Sequence, residues 1–428
     1  VVDCAGLAPL ITHLINLFNH SLYKLVFGIF NYSLNQPNQP LTQKTMKLRL
    51  GMIGGGQGAF IGAVHRIAAR IDGEYELVCG AFSSNAEKSK ASGVLLGLPA
   101  DRVYTSYTEL IEKEKQLPED QRVQVISIVT PNHVHFDPAK AALENGFHVV
   151  LDKPMTFSLA EAKELEKVVA ASGKLFCLTH TYTGYPMVKE AKQLIKAGKL
   201  GAIRKVYVEY PQGWLSSFLE GDDNKQASWR TDPGKSGIAG AMGDIGTHAF
   251  NLAEYVTGLE VTQICADINV VVPGRKLDDD GAALLKFNNG ASGVLTATQI
   301  AAGEENNVKI RVYGEKGGLE WHQSDANSLT LMYTDKPMEV WRTGGGYTSS
   351  FAQHNTRTPA GHPEGYLEAF ANLYRNFALT VKAGLEGKEA TAEEQDYPGI
   401  QEGVRGMAFI ENVIASGKSD KKWTEFTI

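Results

Sequence analysis

The chain has 428 residues, 43% hydrophobic and 21% charged, with 44 glycines, 16 prolines and a formal net charge of -6. That length suits roughly two or three domains with sizeable cores, and the acidic balance offers no basic field for a phosphate backbone, which speaks against nucleic acid as a partner. Cys4, Cys79, Cys177 and Cys265 stand far apart with no CxxC pair, so neither a disulfide framework nor a zinc site is expected, and a reducing cytoplasm suits them.

In chain order, residues 5–31 are apolar but interrupted by Thr12, His13, Asn16, Asn19, His20 and Lys24. No run reaches the roughly 18–20 apolar residues of a membrane span. The basic start, apolar block and small-residue cleavage site of a secretory signal are also missing. Residues 33–45 are polar and proline-containing, as linkers are. Residues 1–45 are therefore expected to be an extension outside the fold. The alternative, a helix lying in a membrane interface, lacks its basic face.

From Met46 strands and helices alternate. Leu48–Ile53 reads as a strand, followed by a glycine cluster and by Phe60, Val64, Ile67, Ala68 and Ile71 at helical spacing. Glu76–Phe82, Val125–Val129, Phe147–Leu151 and Leu175–Leu178 read as strands. Tyr107–Lys115, Pro138–Asn145 (closed by Gly146) and Leu159–Ala171 read as helices. Such a succession implies a doubly wound parallel sheet. Beyond about residue 180 the rhythm becomes that of an antiparallel sheet, with strands at Arg204–Tyr210, Ala266–Val272, Ala282–Phe287, Gly293–Ile300, Val308–Tyr313 and Leu319–Trp321. Asn289-Gly290 and Gly317-Gly318 are expected to be hairpin turns. Val308, Ile310 and Val312 alternate with Lys309, Arg311 and Tyr313, giving one dry face and one wet face. Tyr366, Phe370, Leu373, Tyr374, Phe377 and Val381 mark the stripe of a long amphipathic helix.

Four motifs carry chemistry. Gly54-Gly55-Gly56-Gln57-Gly58-Ala59 satisfies G-x-G-x-x-G/A between a strand and a helix, the context in which backbone N–H groups receive a pyrophosphate; otherwise it is a tight turn. At the end of the second strand, where a carboxylate would take the ribose hydroxyls of NAD, stand Ser83, Ser84, Asn85 and Lys88. Ser83 and Lys88 suit a 2′-phosphate and favour NADP, unless Ser83–Asn85 merely cap the next helix. Thr130-Pro131-Asn132-His133 and Asp152-Lys153-Pro154 end consecutive strands at the carboxyl edge, where ligands bind in such sheets. Lys153 is placed there to exchange a proton with a substrate oxygen, if it is not a solvated surface lysine. Gly243-Asp244-Ile245-Gly246-Thr247-His248 spaces a carboxylate and an imidazole one helical turn apart, a proton-relay pair or a structural cap and core histidine.

Together these motifs, with Trp229-Arg230 ahead of Asp-Pro and a glycine-rich stretch, resemble the glucose–fructose oxidoreductase, inositol dehydrogenase and rhizopine-catabolism family, Gfo/Idh/MocA, from about Met46 to Ala415. The resemblance implies an α/β protein: a Rossmann domain over 46–178, then an α/β domain over 179–428 with a large open, mostly antiparallel sheet and a long C-terminal helix. It implies an NAD(P)-dependent sugar or polyol dehydrogenase with Lys153 as acid/base and His248 and Asp244 beside the substrate. Asp152 replaces the commoner glutamate, and Asn251 stands where many members carry aspartate. The cofactor, NADP or NAD, is expected on Gly54, Gly56, Gln57, Gly58, Ala59 and Phe60, and on Ser83, Ser84 and Lys88. Thr130, Pro131, Asn132, His135, Asp152, Lys153, Trp229 and Arg230 complete that expected set. Substrate contacts are sought at His180, Tyr182, Tyr185, Arg275 and His362, while Asp278-Asp279-Asp280 reads as a solvated run and Glu364 as a helix-start charge. A glycosidase with transient oxidation and a non-catalytic dinucleotide sensor are alternatives. No metal and no membrane are expected. The open sheet would expose apolar surface, so a homodimer or homotetramer is expected.

Overall fold

The computed structural model describes residues 46–220 and 224–428; the extension expected over 1–45 lies outside the described residues. Five strands, β1 (Leu48–Gly54), β2 (Tyr75–Ala81), β3 (Val125–Val129), β4 (His148–Leu151) and β5 (Phe176–Leu178), form a parallel sheet of order β2-β1-β3-β4-β5. The helices between them are α1 (Phe60–Ile71), α2 (Ala86–Leu95), α3 (Tyr107–Glu114), α4 (Phe136–Glu144) and α5 (Leu159–Ser172). β3 is buried along its whole length, as a strand covered on both faces must be. Strand order reverses between β1 and β3, so the segments leaving their carboxyl ends open a crevice there. Asn85, Ser106 and Ser158 cap α2, α3 and α5 by accepting from backbone N–H groups of the first turn. Ala59 gives α1 no side-chain cap.

The second sheet has nine strands: β6 (Ile203–Pro211), β7 (Val261–Asn269), β8 (Asp280–Phe287), β9 (Ser292–Thr298), β10 (Lys309–Gly314), β11 (Gly317–His322), β12 (Ser328–Tyr333), β13 (Glu339–Arg342) and β14 (Thr424–Glu425). Their order is β13-β12-β11-β10-β6-β9-β8-β7-β14; β6 and β9 run parallel and the other pairs antiparallel. One face lies under α6 (Pro186–Lys196), α9 (Thr247–Thr257) and α12 (Ile400–Gly417), where Phe250 of α9 stacks on Phe409 of α12 at 4.6 Å. The short helices α7 (Lys225–Arg230), α8 (Pro233–Ser236) and α10 (Ser350–His354) punctuate the connections. As expected, Val308, Ile310 and Val312 are buried and Lys309, Arg311 and Tyr313 face outward. That outer face is not apolar, however. Lys205, Tyr207, Glu209, Glu320 and His322 share it with the β10 residues, and Lys205 and Arg311 each lie 5.0 Å from the Tyr207 ring.

Several sequence expectations shift. β7 begins and ends earlier than 266–272, because the Asp279 carboxylate accepts from Val271 and Val272 N–H and holds that stretch as a loop. The β10–β11 turn falls at Glu315–Lys316, and Gly317-Gly318 open β11 instead. A Cβ on Gly317 would come within 2.3 Å of the Met332 carbonyl oxygen, so the glycine serves close strand packing. The acidic run is not solvated: Asp278 and Asp279 are buried. The long helix α11 (Tyr366–Leu385) bears its stripe as expected, but spends it on the parallel sheet, where Phe370, Leu373, Tyr374 and Phe377 join Leu48, Leu50 and Val64 in one cluster. No helix among the described residues is long and apolar enough to cross a membrane.

Candidate active site

The glycine loop leaves β1 with Gly54, Gly55 and Gly58 at φ of +83°, +68° and +78°, conformations that favour glycine. Gly56 N–H donates to Phe82 O and Gln57 N–H to Ser92 Oγ, which tie the loop to the end of β2 and to α2. The close helix–strand approach falls to Gly62, where a Cβ would lie 2.3 Å from Gly55 Cα. No side chain crowds Gly58, and the uncapped start of α1 offers its N–H groups beside it. This is an anion cradle. At the end of β2, Ser83 Oγ accepts from Asn85 N–H and the exposed Lys88 sits in the first turn of α2; no carboxylate stands at the tip.

After β3, Thr130 Oγ1 donates to Val134 O, and Asn132 donates to Ser236 O at the end of α8. His135 is fully buried with Nδ1 2.8 Å from Pro154 O and Nε2 2.8 Å from Thr130 O. Its single ring N–H donates to one of these carbonyl oxygens, so the buried ring ties down a loop beside the expected cofactor segment and presents no exposed nitrogen. Asp152 follows β4. Its Oδ1 accepts from Lys153 N–H at 2.9 Å and Thr179 Oγ1 at 3.1 Å, and its Oδ2 has no hydrogen bond among the described residues. Burial would raise this carboxyl, but His65, His135 and Lys153 hold it well below the usual carboxylate range.

Residues 242–246 wind as a π-helical turn ahead of α9, a local widening frequent at functional sites. It presents Asp244 to Lys153, whose Nζ donates to Asp244 Oδ1 at 2.9 Å and to its main-chain oxygen at 2.6 Å. Asp244 Oδ2 accepts from Gln299 Nε2 at 3.0 Å and lies 3.5 Å from Arg230 Nε. Burial opposes the charge on Asp244, yet Lys153 and Arg230 hold its pKa at about 2. The Arg230 guanidinium lies 4.4 Å from the Trp229 ring and 6.0 Å from the Trp214 ring. Four residues after Asp244, His248 sets Nδ1 3.5 Å from Nδ1 of His180. Burial, then Lys153 and His180, push His248 well below the ordinary imidazole range, and burial with Lys153 nearby pushes His180 down to about 3. Both rings are neutral at neutral pH.

Residues 48–181 match the family model for an oxidoreductase family with an NAD-binding Rossmann fold, and residues 188–320 match that for the GFO/IDH/MocA C-terminal domain. The chain is 33% identical over 383 residues to the uncharacterized oxidoreductase YfiI of Bacillus subtilis, covering 89% of this chain and 97% of that protein. The chain belongs to the Gfo/Idh/MocA family of oxidoreductases. It is also 26% identical over 309 residues to the levoglucosan dehydrogenase of Pseudarthrobacter phenanthrenivorans, covering 67% of this chain and 76% of the relative. Two crystal structures of an inositol dehydrogenase homolog from Azotobacter vinelandii, one with NAD+ and one with NADH and myo-inositol, have TM-scores of 0.84 and 0.82 at 34% and 33% identity. Each match covers 89% of this chain and 98% of that one.

As a Gfo/Idh/MocA protein the chain binds NAD or NADP, and its residues fit that group. The cradle at Gly56–Phe60 suits the pyrophosphate, and the unengaged Asp152 Oδ2 suits a hydroxyl. The structure brings together Lys153, Asp244, His248, His180 and Arg230, and adds Tyr182, whose ring meets His248 at 5.0 Å and whose hydroxyl bonds Tyr210 OH. Tyr185 stacks behind Tyr182 at 6.3 Å and packs on Trp321. Two expected substrate contacts lie elsewhere. Arg275 is buried and bound to Glu220, Asp279, Leu215 O and Ser217 O, a loop brace; the adjacent Asp278 accepts from Gly240 and Met242 N–H and so supports the turn that carries Asp244. His362 sits exposed in a turn, with Nδ1 3.2 Å from Pro359 O. Through Glu364, which is folded back on Arg357 and Thr358, and Arg357 on Asp72, that turn is anchored to the C-terminal end of α1, away from the glycine loop.

Sequence reasoning missed an amide wall. Gln212 and Gln299 follow β6 and β9, whose parallel pairing carries both carboxyl ends to one edge. Gln299 Nε2 reaches Gln212 Oε1 at 3.2 Å, Gln212 Nε2 bonds Asn306 Oδ1, and Tyr210 OH donates to the same oxygen at 3.2 Å. Trp214 Nε1 donates to Gln212 Oε1 at 2.9 Å. The only available signal was that two strands end at the same edge, and that signal needs the pairing.

Proposed function

We propose that the protein is an NAD(P)-dependent dehydrogenase acting on a hydroxyl-bearing carbon of a sugar, cyclitol or related polyol. The observation that carries this reading is Lys153 Nζ held on Asp244 at the carboxyl edge of the parallel sheet, beside a neutral His248. When bound, the nicotinamide supplies hydride exchange with the substrate carbon. Lys153 holds the reacting oxygen and, as the free amine, takes its proton during oxidation to become the ammonium. Asp244 fixes the ammonium in place. His248, neutral, accepts or relays the proton. The amides of Gln212 and Gln299 suit neutral hydroxyls. The levoglucosan dehydrogenase and the myo-inositol complex among the relatives support a polyol.

Turnover with a panel of cyclitols and sugars, followed as nicotinamide absorbance, tests the reading. Free sugar released without net reduction would establish the glycosidase, and cofactor binding without any turnover the sensor. The absence of a carboxylate at the β2 tip, with Ser83 and Lys88 there, supports NADP; NADPH should raise the melting temperature more than NADH at matched concentration, and equal or reversed shifts refute the preference. The outer sheet face, with Lys309 and Arg311 beside Glu209 and Glu320, is the surface through which we place a homodimer or homotetramer. Light scattering that finds only monomer overturns that assembly. Cys79, Cys177 and Cys265 are free thiols, which suits a cytoplasmic location.

A further inference from the structure

His65, on α1, is fully buried, and its Nε2 has no hydrogen-bond partner among the described residues. Buried polar nitrogens are rarely left so. Its Nδ1 lies 2.7 Å from Tyr374 OH on α11, and that hydroxyl lies 2.8 Å from Ser127 Oγ on β3. Burial pushes the Tyr374 phenol up, so it stays protonated. With Ser127 donating to Tyr374 and Tyr374 to Nδ1, one of the two directions these distances allow, the imidazole proton lies on Nε2, the side facing the Asp152 carboxylate. Nε2 points at Asp152 Oδ1, 3.7 Å away. A movement of about 0.7 Å would bring that pair into hydrogen-bonding range. The same Oδ1 already accepts from the Lys153 N–H, and α1 begins five residues before His65, at the anion cradle.

We propose that His65 is a positioning residue: seating of the dinucleotide pyrophosphate on the start of α1 closes Nε2–H onto Asp152 and thereby sets Lys153 for proton transfer. Resting on the acid/base role given to Lys153, the assignment makes Tyr374 the part that fixes the tautomer. It also makes the C-terminal helix a participant in the site of the parallel sheet. Sub-ångström placement of a reacting group is worth this much machinery, since a 1 Å error can cost about a hundredfold.

Nitrogen-15 NMR of the histidine rings in the full chain, with and without NAD+, tests the tautomer directly. His65 should be protonated on Nε2, and that proton should exchange more slowly once NAD+ is bound. Tyr374→Phe, which keeps the ring and its packing, should shift the tautomer and lower kcat about tenfold, with both KM values within about twofold and the melting temperature little changed. His65→Gln should restore more turnover than His65→Leu. A proton on Nδ1 in the wild type, or a Tyr374→Phe enzyme with wild-type kcat, overturns the proposal. If His65→Leu does not fold, Tyr374→Phe and the NMR decide. If the wild type turns over no polyol, the proposed reaction fails, while the tautomer and its response to NAD+ still judge His65.

Discussion

Lys153 is the residue on which the proposed chemistry turns. Lys153→Met keeps most of the aliphatic bulk and removes the proton-transfer group, so kcat should fall by about 10²–10⁴-fold, while NAD(P)H affinity by titration stays near wild type because the cradle is separate. Loss of cofactor binding instead would move Lys153 to the nucleotide site. The histidine pair sets an acid limit on stability. His180 titrates at about 3 in the fold and near 6.5 when unfolded. Between those values the unfolded chain takes a proton that the folded chain refuses, so stability falls as pH drops below about 6.5 and is unaffected above it. Urea unfolding at pH 7 and pH 5 should show that loss, and His180→Asn should narrow it; an equal loss in both chains refutes the assignment. At this scale the motif residues Lys153, Asp244 and His248 were legible because each sits in a short contiguous pattern. Gln299, Gln212 and Asn306 were not, since glutamine and asparagine after a strand look alike whether they face a cleft or solvent. Arg275 misled for the opposite reason, as a charge near a polar run proved to be a buried brace.

The elements show which local rules survive packing. α1 and β1 approach so closely at Gly62 and Gly55 that any side chain at 62 must push them apart. Gly62→Ala should cost about 1–3 kcal/mol of stability and weaken NAD(P)H binding as well, because the same shift moves the cradle. Thermal melting with and without cofactor checks both, and an undisturbed cofactor-induced shift would show that the loop moves independently. The parallel strands could be placed from sequence to within a residue or two because burial on both faces makes them continuous apolar runs. β12, β13 and β14 could not be seen, and β7 was misplaced. Half-buried strands carry mixed residues, and Val270–Val272 look like a strand until Asp279 captures their N–H groups. The one-turn spacing of Asp244 and His248 suggested a helix start, whereas the π-turn that aims Asp244 at Lys153 depends on Asp278 bracing Gly240 and Met242 from another segment.

At the scale of the molecule, residues 47–428 form one compact unit holding both sheets and every site residue named above. A chain started at Met46 should therefore keep the melting temperature and NAD(P)H affinity of the full chain, and an insoluble or non-binding truncation would show that residues 1–45 belong to the fold. The sequence by itself determined the two-sheet architecture, the family, the cradle and the lysine–aspartate–histidine set, because these depend on periodicity and on motifs whose members are neighbours in the chain. Only the tertiary structure decided that α11 returns to the parallel sheet and brings Tyr374 to His65. It also decided that an amide wall faces Asp244 and that the outer sheet face is charged. Those outcomes join residues up to 309 positions apart, and a contact between distant segments is chosen by which surfaces remain to be covered once the local elements have formed, a quantity no single stretch of sequence contains.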